Sequence, residues 1–177
     1  MKHSIFILII AACLSTQVKA QEKFGNTLNV GLGVGYFGTG ATFNLNYEFD
    51  VFRNFTLAPF IGVSTYRDYR YWGDTYSNYH DYYYRETFIP VGVKGTYYFD
   101  ELLKANDKWD FYAGVSLGVT FRTVHWDNGY TGDRSVSSYS PLYANLHIGS
   151  EYHFRPKTGV FLDLSTGFST IGLAFHL

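Results

Sequence analysis

Thr170-Ile171-Gly172-Leu173-Ala174-Phe175-His176-Leu177 ends the chain on a strict alternation, with Ile171, Leu173, Phe175 and Leu177 on one face of a strand and Thr170, Gly172 and His176 on the other. Left open in water, an apolar strand of this kind is an edge that pairs with other chains. Pairing it with the first strand of a closed barrel removes the edge, and a bilayer demands that closure because hydrocarbon offers no partner to an open ladder. The octet therefore predicts a barrel in which the last strand meets the first.

Working back from it, the same period of two recurs in seven earlier segments. They run Leu28 to Tyr36, Ala41 to Phe49, Phe55 to Val63, Ile89 to Phe99, Trp109 to Arg122, Leu142 to Phe154 and Val160 to Leu164. The fifth is the clearest, with Trp109, Phe111, Ala113, Val115, Leu117, Val119 and Phe121 opposite Asp110, Tyr112, Gly114, Ser116, Gly118 and Thr120. Connections after the second, fourth and sixth strands are fairly short, whereas the third and fifth lead into the long segments Arg67 to Tyr84 and Val124 to Ser138. Short turns on one side and long loops on the other match a membrane barrel with a periplasmic and an outer end. The fold class expected is all-β: an eight-stranded antiparallel up-and-down transmembrane barrel.

A soluble barrel would turn its apolar face inward around a ligand, and a membrane barrel turns it toward lipid. Ionisable residues in the segments (Glu48, Lys94, Asp110, Arg122, His147, Glu151, His153, Asp163 and His176) all fall on the polar face. A charge facing hydrocarbon costs about 2 to 4 kcal/mol near the midplane. The apolar face becomes aromatic beside the short turns, at Tyr47, Phe49, Phe55, Tyr97, Phe99, Trp109, Phe111, Tyr152, Phe154 and Phe175, as an interfacial girdle requires. Glycines crowd the polar face, which suits a narrow interior better than a wet surface. The net charge of −1 gives no electrostatic case for nucleic acid.

Residues 1 to 20 read as a cleaved signal peptide: basic Lys2, an apolar run from Ile5 to Ala12, and Val18-Lys19-Ala20 before Gln21. Residues 21 to 177 then form one barrel domain, exported to the outer membrane of a Gram-negative-type envelope. Ile10-Ala11-Ala12-Cys13 offers a competing reading, with Cys13 lipidated; as the single cysteine it excludes an intramolecular disulfide either way.

On these features, residues 27 to 177 resemble the small eight-stranded outer-membrane proteins of the OmpX and OmpA-barrel type. Thr170, Gly172, Phe175 and Leu177 resemble the β-signal read by the barrel-insertion machinery. The resemblance implies fold and location. Family roles differ, spanning adhesion, surface protection and membrane structure. No peptidoglycan-binding domain accompanies the strands, so an anchoring role is not implied.

Four groups of residues are candidates for a functional role. Lys94, Glu151 and Asp163 face inward at similar heights counted from the turns, and are expected to form a buried ion cluster because a lone buried charge is strongly unfavourable. Glu151, His153 and His176 supply ligand types for zinc near the periplasmic end, but lumen groups of this kind are expected to pair with one another, so no metal or cofactor is expected. His125 with Ser135, Ser137 and Ser138 supplies the residue types of a hydrolase without a fixed geometry, and no catalytic residue is assigned. The segment from Tyr66 to Tyr84, with Tyr69, Tyr71, Trp72, Tyr76 and Tyr79 among its aromatics, is expected to project as a surface loop that contacts a glycan or a protein. The expectation is a monomeric, non-enzymic outer-membrane protein in contact with lipid, with a plugged lumen and a structural and surface-interaction role. A narrow porin for small solutes and a lipid A modifying enzyme stand as alternatives.

Overall fold

The computed structural model describes residues 26–35, 40–72, 80–99, 103, 105–127, 130–134 and 138–177. The signal-peptide reading, Cys13, Tyr76, Tyr79, Ser135 and Ser137 lie outside them. Eight antiparallel strands form a closed barrel: β1 Thr27–Val34, β2 Ala41–Phe52, β3 Phe55–Trp72, β4 His80–Tyr98, β5 Trp109–Trp126, β6 Leu142–Arg155, β7 Thr158–Ser165 and β8 Ser169–His176. Closure is direct. Residues Thr27 to Val34 of β1 pair in unbroken register with His176 to Ser169 of β8. One end of the barrel holds the short turns and both chain-terminal strand ends, and is here called the turn end; the other is the hairpin end.

The alternation is realised as predicted. Leu32, Ile61, Val93, Leu117, Leu146, Leu162 and Ile171 are exposed on the outside, whereas Thr56, Ala58, Thr96, Tyr112, Ser116 and Asp163 are buried within. In water such an exterior would be a large aggregation-prone patch. A bilayer turns the same surface into the favourable one. Tyr47, Phe49, Tyr97, Trp109, Tyr152, Phe154 and Phe175 stand outward at the turn end, and Trp109 packs against Phe111 and Tyr152 with ring centres 5.9 and 4.9 Å apart.

The structure corrects the strand lengths. β3 has 18 residues, β4 19 and β5 18, although a tilted strand crosses hydrocarbon with about 9 to 11. Most of the expected Tyr66 to Tyr84 loop is therefore ladder: Tyr66↔Glu86 through Trp72↔His80 pair without interruption. Val124 to Trp126, expected to begin a loop, continue β5 against Glu86 to Tyr84. Past the membrane neither face meets lipid, so apolar alternation disappears while the strand preference of tyrosine persists.

The β2–β3 turn is two residues long, Arg53 and Asn54, and Asn54 has φ 62°. Asparagine is among the few non-glycine residues that visit this region readily. Asn54→Val is expected to destabilise the barrel by about 1 to 2 kcal/mol and Asn54→Gly to be tolerated, measured as the shift in urea midpoint of the detergent-folded protein.

Candidate functional site

Among the described residues, three lumen networks pair acids with bases, ordered from the hairpin end to the turn end, and a further one holds Glu48 among Asn29, Thr56 and Tyr98. Nearest the hairpin, Arg122 donates to Glu86 at 2.7 Å, and its guanidinium lies 5.7 and 5.3 Å from the ring centres of Phe88 and Tyr139.

In the middle, Asp163 on β7 gathers three side chains directly and a fourth through His147. Lys94 Nζ is 2.5 Å from Oδ2, the Tyr112 hydroxyl donates to the same oxygen at 3.1 Å, and His147 Nδ1 lies 2.7 Å from Oδ1. His147 Nε2 is in turn 2.7 Å from Ser116 Oγ. Lys94 also sits over the Tyr112 ring, 4.6 Å from its centre. Sequence reasoning named Lys94 and Asp163 but gave Tyr112, His147 and Ser116 no part. Their inward parity was the available signal. The order in which they meet depends on strand stagger.

Glu151, expected in that cluster, belongs to a separate one at the turn end. Its Oε1 lies 2.8 Å from His176 Nε2 and 3.8 Å from His153 Nδ1, while Asp110 Oδ2 and Thr27 Oγ1 engage the other nitrogens of His153 and His176. A glycine explains the move. Any Cβ at Gly159 would come within 2.0 Å of Glu151 Oε1, so the carboxylate lies across β7 over that residue and reaches β8. Gly149 does the same for the central network, since a Cβ there would meet the Tyr112 ring and hydroxyl at 2.3 and 2.4 Å. The inward glycines are thus slots through which side chains reach across a strand.

Ser116, His147 and Asp163 have the connectivity of a hydrolase triad. What they lack is room. Ser116 is 2% exposed, and the lumen cavity they share with Asn46, Glu48, Tyr98 and others is about 30 Å³, space on the scale of one or two waters. A second cavity of about 510 Å³ opens at the hairpin end, bounded by Ser64, Tyr66, Phe88, Tyr139 and Asn145. Tyr143 and Phe168 line both cavities, and with Phe60 they make a chain of ring contacts at 5.4 and 5.8 Å.

Beyond the membrane, the extended hairpin and the β5–β6 loop pack into one body. Trp126 stacks on buried Tyr130 with centres 4.5 Å apart, Tyr84 and Tyr82 flank them, and Arg70 reaches across to the Asp133 carbonyl at 3.1 Å. On the outward face Tyr69 and Tyr71 are 55% and 68% exposed, beside Tyr83 with Arg67 4.4 Å over its ring. Arg67, Arg85 and His125 align in register there as an exposed basic row. Of the sequence-named residues, Tyr69 and Tyr71 are on strand β3 rather than a loop, and Trp72 is its last residue. His125 is near the end of β5, opposite Arg85.

No family model and no curated protein matches this chain. Among solved structures it is similar to a de novo designed transmembrane β-barrel, with 11% identity over 88% of this chain and 98% of the other and a TM-score of 0.51. It is also similar to the Yersinia pestis outer-membrane protein Ail in a phospholipid bilayer nanodisc, with 11% identity over 86% of this chain and 99% of that one and a TM-score of 0.44. Ail in complex with the heparin analogue sucrose octasulfate matches at 9% identity over 85% and 94% of the two chains, with a TM-score of 0.40. The likeness to the designed barrel is one of fold: a closed eight-stranded barrel of the transmembrane kind.

Proposed function

We propose that this chain is an integral outer-membrane protein with a plugged lumen, a structural role in the membrane, and a surface contact made by its long hairpin. The observation that carries this is a closed barrel with a broad apolar outer belt and, at its level, charges gathered inside. The turn end faces the periplasm and the hairpin end the cell exterior. The Phe60, Tyr143 and Phe168 rings and the Asp163 network support the plug, leaving the interior too narrow to pass solutes. Exposed Tyr69 and Tyr71 beside Arg67 offer flat faces for sugar rings or a protein partner, aromatic anchors at low entropy cost. The basic row Arg67, Arg85 and His125, just above the apolar belt, suits anionic headgroups of the outer leaflet. The protein acts as a monomer and is not an enzyme, the Ser116 hydroxyl having no space beside it for a substrate.

Proteolysis of intact cells will cut in the long β3–β4 hairpin beyond the apolar belt and spare the membrane-crossing parts of the strands, and the purified barrel in planar bilayers will show no steady conductance. Cleavage only after the outer membrane is opened would invert the topology. A stable conductance would promote the narrow-pore alternative, and unchanged glycan and cell-surface binding after deletion of the hairpin would remove the recognition role.

A further inference from the structure

We propose that Glu151, His153 and His176 form a binding site for a divalent ion of the zinc type at the turn end of the barrel lumen. One donor atom from each of the three lies within 4.8 Å of the others. In a tetrahedral site with zinc–donor bonds of about 2.0 to 2.2 Å, neighbouring donors stand roughly 3.4 Å apart. The separations here, 2.8 Å from Glu151 Oε1 to His176 Nε2 and 3.8 Å to His153 Nδ1, bracket that value. Small side-chain movements bring the set onto an ion.

The outer nitrogens supply an independent observation. Metal-ligating histidines hand their second N–H to a carboxylate or another oxygen, which holds the ring and selects the tautomer. His153 Nε2 is 2.6 Å from Asp110 Oδ2 and His176 Nδ1 is 2.9 Å from Thr27 Oγ1. Each ring therefore has one nitrogen anchored outward and the other aimed at the same carboxylate oxygen. With the ion bound, the N–H of His153 donates to Asp110 and that of His176 to Thr27. His176 then carries its proton on Nδ1 and presents the lone pair of Nε2 to the ion.

Placement and access agree. Glu151 is buried, but the side chains of His153 and His176 keep 19% and 16% of their surface exposed, so the barrel end gives an entry path and leaves a fourth position for water. Two imidazoles with one carboxylate suit zinc and its neighbours, whereas magnesium and calcium prefer oxygen ligands throughout. The ion would tie β6 to β8 across Gly159 and, through Thr27, brace β1 at the closing seam. The unfolded chain does not gather these ligands, so the ion would stabilise the closed barrel.

The test is zinc titration of the full chain, made without an affinity tag, purified folded from membranes in detergent and stripped with a chelator. In competition with a chromophoric chelator at neutral pH it should take up one equivalent of Zn²⁺, with no comparable uptake of Mg²⁺ or Ca²⁺. Asp110→Asn should weaken binding about 10- to 100-fold, and His153→Gln or His176→Gln by more. Gly159→Ala should weaken it by displacing Glu151 while leaving both imidazoles intact. In the unsubstituted protein, the ring resonances of His153 and His176 should move together at one equivalent while those of His147 and His125 stay put; this readout stands even where a variant fails to fold. Absence of a bound equivalent, binding indifferent to the His153 and His176 substitutions, or shifts confined to other histidines would overturn the proposal.

Discussion

Replacing Asp163 by alanine will cost the folded barrel about 3 to 5 kcal/mol, the usual consequence of removing one partner from a buried ion pair. The carboxylate is the single acceptor on which Lys94, Tyr112 and His147 converge. The Lys94 and Asp163 side chains are only 11% and 7% exposed, so an abandoned ammonium has little water to turn to. The loss would appear as a lower urea midpoint for the form that keeps its folded gel mobility in unheated SDS. Lys94→Met combined with Asp163→Leu should recover much of it, because an apolar pair avoids the stranded charge. An Asp163→Ala barrel as stable as the parent would show that Lys94 reaches water by another route.

Gly172→Val should abolish barrel closure, the largest effect expected of any single substitution here. Gly172 pairs with Gly31 across the β1–β8 seam, and the Phe161 ring lies over both. A Cβ at Gly172 would come within 2.0 Å of the Val30 carbonyl oxygen and 2.7 Å of the Phe161 ring. The first contact is with backbone, so rotating a side chain cannot relieve it. Overpacking a tight site typically costs about 1 to 3 kcal/mol and more where backbone must move, and this one falls on the last ladder that closes the sheet. Pulse-labelled cells should show the variant only in the unfolded, heat-insensitive form, whereas Ile171→Val on the outward face should assemble normally. Assembly of Gly172→Val at parental yield would mean that the glycine serves neither packing nor recognition.

Gly172 illustrates how far a linear reading reaches. The alternation of the final octet exposed its position on the inward face and its resemblance to an insertion signal. Its neighbours come from the two strands on either side, the Phe161 ring through the adjacent β7–β8 hairpin and Gly31 only when the sheet closes. The hairpin shows the opposite limit. Tyr66 to Trp72 carry no apolar alternation, so they read as loop, yet their backbone continues the ladder with β4.

What the chain determines by itself is the number of strands, their order and the face each residue takes. Each strand records its own burial as a period of two, and antiparallel neighbours need only short connections. Which inward charges meet was decided by tertiary structure. Heights counted along single strands put Glu151 beside Lys94, but strands in a closed barrel are tilted and staggered, so equal counts do not mean equal levels. Gly159 then lets Glu151 lie across β7 toward His176, and Gly149 lets Tyr112 reach Asp163. The lumen networks are set by that stagger and by which strand leaves a gap, neither of which is written in the alternation of any one segment.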